Sequence, residues 1–329
     1  MKRPIAMIAG TGHAVPKKVL TNHEFAAMGI DTNDEWIVER TGIKQRYIAG
    51  EGESLTSLSS DAARAAMKAA GVTASELDII VLGTASPDRL LPATAVEVQA
   101  NIGASRAAAF DISAACSGWV YGMQVAEGLM ALGSAETALV IGAETLSRIV
   151  NWKDRNTCVL FGDGAGATVL KRSTKGRGIL STFMRSDGSL ADLLHRPAGG
   201  SLRPVTPEVL ADGSNCITMA GREVFKNAVR SMAESCDRAL DGAKLSATDI
   251  DLLIPHQANI RIIEATAKHA GMPMEKVYVN VDRYGNTSAA SIPMALDEAI
   301  RAGRVKEGMT VMFVAFGAGF TWGSIIVKF

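Results

Sequence analysis

Two segments of this chain align without a gap at a spacing of 173 residues: "ASELDIIVLG" at 74–83 and "ATDIDLLIPH" at 247–256. Each follows an alanine-containing helical run and ends its apolar strand at a loop. "ALVIGA" (138–143) and "VMFVAF" (311–316) fall at the same spacing. A repeat of that length constrains the architecture more than any single motif, because the 329 residues then divide into two similar halves. Chance likeness between two β-α units is common, so the spacing alone leaves duplication open; the matching order of elements favours it. The predicted halves are 1–175 and 176–329. No low-complexity linker separates them, which predicts one tight shared interface.

Short β-branched runs alternate with alanine-rich runs, the pattern of an α/β protein with mostly parallel strands. Strands are predicted at 5–10, 78–83, 107–112, 138–143 and 166–171, then at 178–183, 251–256, 277–281, 310–316 and 323–329. Helices are predicted at 55–70, 117–132, 221–240, 258–270 and 288–302, with Gly71, Gly133, Gly271 and Gly303 as left-handed ends. Thr21 and Glu24 in "TNHE" fit a capping box. The stretch 184–220 is rich in Gly, Pro, Ser and Asp and has no period, so it reads as an irregular, lid-like excursion.

Thirty-four basic and 34 acidic side chains cancel, which argues against a general nucleic-acid or polyanion binder. The four cysteines show no metal-ligand spacing and suit a reducing compartment. The N-terminal apolar run is too short for a signal-peptide core, and no stretch reaches the roughly 18 apolar residues of a membrane helix. A soluble cytoplasmic protein is expected.

Cys116, in "DISAACSGW" (111–119), stands between a predicted strand and a predicted helix. A thiol at a helix N-terminus feels the positive end of the dipole, which favours thiolate; an isolated cysteine is as readily an inert core residue. Cys158, Cys216 and Cys236 lack that setting. Among the histidines, His13, His23 and His269 read as surface or packing residues, and His195 lies in the irregular stretch. His256 ends the apolar run "DLLIP" and opens a helix, so it is either a catalytic partner or a helix cap. Asn286, in "YGNTSAAS", opens a third such corner, where an ordinary cap is the competing reading. "FGDGAGA" (161–167) lacks both the P-loop lysine and the dinucleotide-fold spacing and is not a phosphate cradle.

Taken together, "DEWIVERTGIKQRYIA" (34–49), "DISAACSGW", "TCVLFGDGAGA" (157–167), "MAGREVFKNAV" (219–229), "IPHQANIRII" (254–263), "YGNTSAASIP" (284–293) and "FGAGFTWGS" (316–324) resemble the β-ketoacyl-[acyl-carrier-protein] synthase III family. These are thiolase-fold condensing enzymes that start type II fatty-acid synthesis, and the likeness runs over essentially the whole chain. It implies a duplicated, five-layered αβαβα fold with mixed, mostly parallel sheets. It implies Cys116 as nucleophile toward an acyl-CoA, with His256 and Asn286 assisting decarboxylation of malonyl-ACP. The backbone amides of Cys116 and Ala318 would form the oxyanion hole.

The same resemblance assigns Trp36, Arg40 and Arg155 to the adenine end of CoA. Gly221, Phe225 and Asn259 fall to its pantetheine arm, and Lys226, Arg261 and Lys268 to the acyl carrier protein. It implies a homodimer, with no metal, redox cofactor, nucleic acid or membrane among its requirements. Two positions depart from the usual pattern near the acyl pocket. Leu91 stands where acetyl-selective members often carry phenylalanine, in a residue that reaches the partner subunit's pocket, and Trp119 replaces the usual phenylalanine. Ala318 replaces a common glycine, which spares a hole that uses only its amide. A same-fold acyltransferase or specialised-metabolite synthase with another acceptor is the alternative. A non-catalytic acyl-CoA-binding protein would be expected to have lost the cysteine or the histidine.

Overall fold

A computed structural model of the chain describes residues 5–173 and 176–329; the division expected at residue 175 lies outside the described residues. The first large sheet has its strands in the spatial order Ala6–Ala14, Gly164–Arg172, Thr137–Glu144, Ile79–Gly83, Ala108–Ile112. The second runs Leu252–Pro255, Thr310–Gly317, Thr321–Lys328, Gly178–Ser186. Val277 extends it beyond Leu252–Pro255 by one parallel bridge to Leu253, all that remains of the strand predicted at 277–281. Numbered along the chain, both sheets follow one order: first strand, last, fourth, second, third. The repeat seen in the sequence is thus a repeat of topology.

With the Val277 bridge, four of the eight pairings in these sheets are parallel and four are antiparallel, so the sheets are mixed without the expected parallel majority. The reason lies in the connections. Parallel neighbours need a long crossover, and the helices Thr94–Ile102 and Gly118–Ala131 supply two of them. Thr310–Gly317 and Thr321–Lys328 have only a short loop between them, which permits nothing but a hairpin. A two-stranded ribbon of Lys18–Thr21 and Gln45–Ile48 was not foreseen.

Helices Leu55–Ala70 and Thr94–Ile102 cover the outer face of the first sheet, where their alanines pack on Ile80, Leu82, Leu139 and Ile141. Helices Gly118–Ala131 and Ser291–Arg301 lie between the sheets; Trp119, Met123, Ile292 and Leu296 bind the two sheets into one core. Gly221–Ala243 and Ile260–His269 cover the second sheet's far face. This gives five layers, α, β, α, β, α. Thr137–Glu144 and Thr310–Gly317 are buried along their whole length, as strands covered on both faces must be. All four predicted glycine ends take positive φ, and Glu24 accepts the Thr21 amide at 2.7 Å.

The stretch 184–220 is folded rather than irregular throughout. It holds a ribbon of Leu194–His195 against Thr218–Met219 and a helix, Pro207–Asp212, capped by Thr206. Among the described residues no helix is long and apolar enough to cross a membrane.

Candidate active site

Three polar corners meet where the buried middle helices begin. The strand Ala108–Ile112 runs into a short turn, Ala115–Ser117, and then into Gly118–Ala131, so Cys116 sits at a helix N-terminus as the sequence predicts. Two glycines allow that close packing: a Cβ on Gly83 would lie 2.6 Å from the carbonyl carbon of Gly118. Ala115 takes a left-handed φ of 45°, and Ser288, the residue 173 positions on, takes 48°. Such conformations are costly for residues with a side chain and collect at functional sites.

His256 follows the strand Leu252–Pro255 and is 3 % exposed. Its Nδ1 lies 2.6 Å from Ser291 Oγ. That hydroxyl also accepts the Gln257 amide, at 3.3 Å. When it donates its own hydrogen to Nδ1, the ring carries its hydrogen on Nε2. Burial drives the His256 pKa down to about 3, which keeps the imidazole neutral and a donor. Gln257 locks the segment: it donates to Pro255 and Tyr278 carbonyls and accepts the amides of Asn280 and Val281.

Asn286 is equally fixed. Its amide donates to the Leu160 carbonyl at 2.8 Å, and its carbonyl accepts the Gly162 amide at 3.0 Å. Its side-chain oxygen accepts the Ser288 amide at 2.8 Å, which leaves the NH₂ group as the free end. Ser291, Gln257 and Ser288 were not singled out from the sequence. They lie inside the motifs that carried His256 and Asn286, but nothing in spacing marks a residue whose work is to orient a neighbour.

Cys116, His256 and Asn286 all line one cavity of about 120 Å³, whose walls include Phe161, Phe225, Asn259 and Phe316. A second cavity, of about 110 Å³, shares Cys116 with the first and is lined further by Ala85, Leu146, Ile149, Ile217 and Ala318. The excursion 184–220 walls both cavities: Leu194 touches each, and His195 and Arg196 close the second. Gly317 permits the strand end to press on the nucleophile corner, since a Cβ there would lie 2.6 Å from the Cys116 nitrogen. Burial works against the thiolate that the helix end favours. Desolvation pushes its thiol up to about 12, and the nearby Ser288 hydroxyl acts to lower it.

Gly221, Phe225 and Asn259 line the first cavity as expected. Asn259 Nδ2 donates to the Arg40 carbonyl at 2.8 Å and ties the cavity to the helix Asp34–Thr41. There the Trp36 ring lies under two guanidinium groups, Arg40 at 4.6 Å and Arg155 at 5.1 Å, outside the cavity proper. Lys226, Arg261 and Lys268 are exposed and form no ion pair among the described residues. Arg261 lies 5.7 Å from the Phe225 ring, at the cavity's edge.

The two acyl-pocket positions stand elsewhere. Trp119 is 1 % exposed, donates from Nε1 to Thr168 Oγ1 at 3.2 Å and packs edge-on against Phe313. It lines neither cavity, because the first turn of its helix faces the intersheet core there. Leu91 is 86 % exposed and clear of both cavities in its own chain. His13 pairs with Asp297 at 2.6 Å and His269 with Asp237 at 3.2 Å, in packing and surface roles. No group of three or more His, Cys, Asp or Glu side chains among the described residues is arranged to hold a metal ion.

Residues 110–188 match the family model described as 3-oxoacyl-[acyl-carrier-protein (ACP)] synthase III, and residues 240–329 match the model of its C-terminal part. A β-ketoacyl-[acyl-carrier-protein] synthase III of Roseiflexus castenholzii is 52 % identical over 323 residues, covering 98 % of each chain. The synthase of the same name from Symbiobacterium thermophilum is 52 % identical over 326 residues, covering 99 % of this chain and 98 % of its own. The crystal structure of the Aquifex aeolicus 3-oxoacyl-[acyl-carrier-protein] synthase III superposes with a TM-score of 0.92 at 48 % identity, covering 98 % of this chain and all of that one. The chain belongs to the β-ketoacyl-[acyl-carrier-protein] synthase III family of thiolase-fold condensing enzymes.

Proposed function

We propose that Cys116, His256 and Asn286 carry the two half-reactions by which this acyl-transferring condensing enzyme initiates fatty-acid synthesis. Cys116 sulfur attacks the thioester carbon of an acyl-CoA and keeps the acyl group while CoA leaves. Malonyl-ACP then enters and loses CO₂, and the resulting enolate attacks the acyl-cysteine to release β-ketoacyl-ACP. His256 Nε2–H and the Asn286 NH₂ group donate to the thioester oxygen as negative charge builds on it. One such donor is worth about 3 kcal/mol of barrier. The amides of Cys116 and Ala318 serve the tetrahedral intermediates in the same way.

The observation that carries this reading is the shared cavity wall, on which a thiol, a neutral imidazole and an oriented amide face one space. Cys116 belongs to the half 1–175 and the other two to the half 176–329. In our reading the CoA arm lies along Gly221, Phe225 and Asn259, its adenine meets Trp36, Arg40 and Arg155, and the acidic carrier protein docks on Lys226, Arg261 and Lys268. The primer's chain enters the second cavity, and Leu91 serves the partner subunit of a homodimer.

The test is incubation with malonyl-ACP and a panel of acyl-CoAs, following CO₂ release and protein mass. A mass increase on Cys116 and a β-ketoacyl-ACP product are expected with at least one primer. No product with any primer would refute condensation, and wild-type acylation of Cys116→Ser would refute the nucleophile.

A further inference from the structure

Two amides can form one oxyanion hole only if the segments that carry them keep a fixed spacing, since each must reach the same oxygen at about 2.7–3.1 Å. Cys116 stands in the turn Ala115–Ser117, and Ala318 in the loop between the strands Thr310–Gly317 and Thr321–Lys328. Among the described residues neither amide donates to a main-chain carbonyl.

The Thr321 residue joins the two segments. Its Oγ1 donates to the Ala114 carbonyl at 2.8 Å, across 207 positions of sequence, and lies 3.2 Å from the Ala318 carbonyl. A second bond runs the other way: Ser117 Oγ donates to the Thr321 carbonyl at 3.1 Å. The two bonds bracket Cys116, one on each side of the nucleophile in sequence. The loop's other main-chain ties, Phe320 with Asp187 at 2.9 Å in both directions, lead to the end of the strand Gly178–Ser186 and not to the nucleophile turn.

We propose that Thr321 is a positioning residue that sets the width of the oxyanion hole. It lines neither cavity, so it acts through Ala114 and Ser117 on one side and Ala318 on the other. Ala115 follows the held carbonyl at a left-handed φ of 45°. Such a conformation persists only where its surroundings over-determine it. The Ala114 carbonyl accepts the Ser117 amide at 3.0 Å as well as the Thr321 hydroxyl. The first bond closes the turn on itself; the second refers the turn to the Ala318 loop. Packing of Gly317 on the turn limits how closely the segments approach, whereas a hydrogen bond also limits how far apart they drift. Loss of the hydroxyl would therefore leave the turn formed and its distance from Ala318 unset.

This role rests on Cys116 as nucleophile and on the two-amide hole, and the test separates the failures. Acylation is measured in single turnover as CoA release without malonyl-ACP, over a range of acyl-CoA concentrations. T321V keeps the branched shape and loses the hydroxyl. Its maximal rate is expected to fall by roughly ten-fold or more, with half-saturation within about two-fold of the wild type, the split of an interaction made in the transition state. T321S restores the hydroxyl and should recover most of that rate. S117A removes the reciprocal bond from a wholly buried side chain and should slow acylation in the same sense, so it carries the test if T321V does not fold. Folded T321V that acylates at the wild-type rate would overturn the role, as would T321S no faster than T321V. A raised half-saturation with an unchanged maximal rate would overturn it too, since the threonine would then shape binding alone. If T321V does not fold, wild-type acylation by S117A overturns it. In each case Cys116 stands as nucleophile; a wild type that never acylates Cys116 would overturn both.

Discussion

Ser291→Ala probes the arrangement that makes His256 a donor. The hydroxyl lost is the partner of an imidazole nitrogen at 2.6 Å, in a site where His256 is 3 % and Ser291 2 % exposed. Water has little access, so the truncation leaves Nδ1 without a partner, a change worth about 1–2 kcal/mol. It also frees the ring to move its hydrogen from Nε2 to Nδ1, which removes the donor from the cavity in that fraction of molecules. At about 1.4 kcal/mol per factor of ten, condensation should slow by roughly ten-fold. Acylation of Cys116 should hold within about two-fold, since the donor is proposed to act on the enolate. The assay is rapid-quench formation of β-ketoacyl-ACP from enzyme already acylated, beside CoA release from fresh enzyme. Equal slowing of both steps, or of neither, would refute the tautomer argument.

Trp119→Phe should lower stability by about 1–3 kcal/mol through lost packing on Phe313 and an unpaired Thr168 hydroxyl. Its primer preference should not move; a shift in chain-length profile would return Trp119 to the acyl pocket. Burial raises Glu144 from 4.5 to about 7, so its neutral form is the one the fold prefers. That contribution is complete below pH 4.5 and is lost as pH rises through 7, a change of about 3 kcal/mol against E144Q, readable by urea denaturation across that window. Parallel stability curves for the two proteins would refute it. Reversing Lys226 and Arg261 to Glu should raise the KM for malonyl-ACP several-fold in a salt-sensitive way, with acyl-CoA turnover little changed. A KM that stays put would move the carrier site elsewhere.

The strands, the helix ends and the corner positions of Cys116, His256 and Asn286 were legible in the sequence because each rests on local pattern, whereas the five layers followed from the family resemblance. Apolar runs define strands, glycines end helices, and a polar residue at a strand-to-helix corner is visible by position. What stayed hidden depends on long-range contact. Whether neighbouring strands run parallel depends on how the whole chain is routed between them, and only the hairpin of Thr310–Gly317 with Thr321–Lys328 is set by a short loop. Trp119 follows Cys116 by three residues, yet the helix turns it into the intersheet core, where proximity in sequence says nothing about the pocket. Glu144 accepts the Ser288 hydroxyl at 3.0 Å across 144 positions, and no sequence pattern announces that contact. The burial that raises the Cys116 thiol was also beyond reach, since it comes from residues far along the chain.

The left-handed pair Ala115 and Ser288 has a genetic consequence. They occupy the same place in the two repeats, yet Cys116 follows one and Ala289 the other. The two corners have become unlike, and each is useful only beside the other, within a single polypeptide. Two defective copies, one lacking Cys116 and the other lacking His256, should therefore fail to rescue each other when mixed, even in a dimer. A cut between the halves, by contrast, would part the nucleophile from its donors without removing any of them, and activity would return only with fragment complementation.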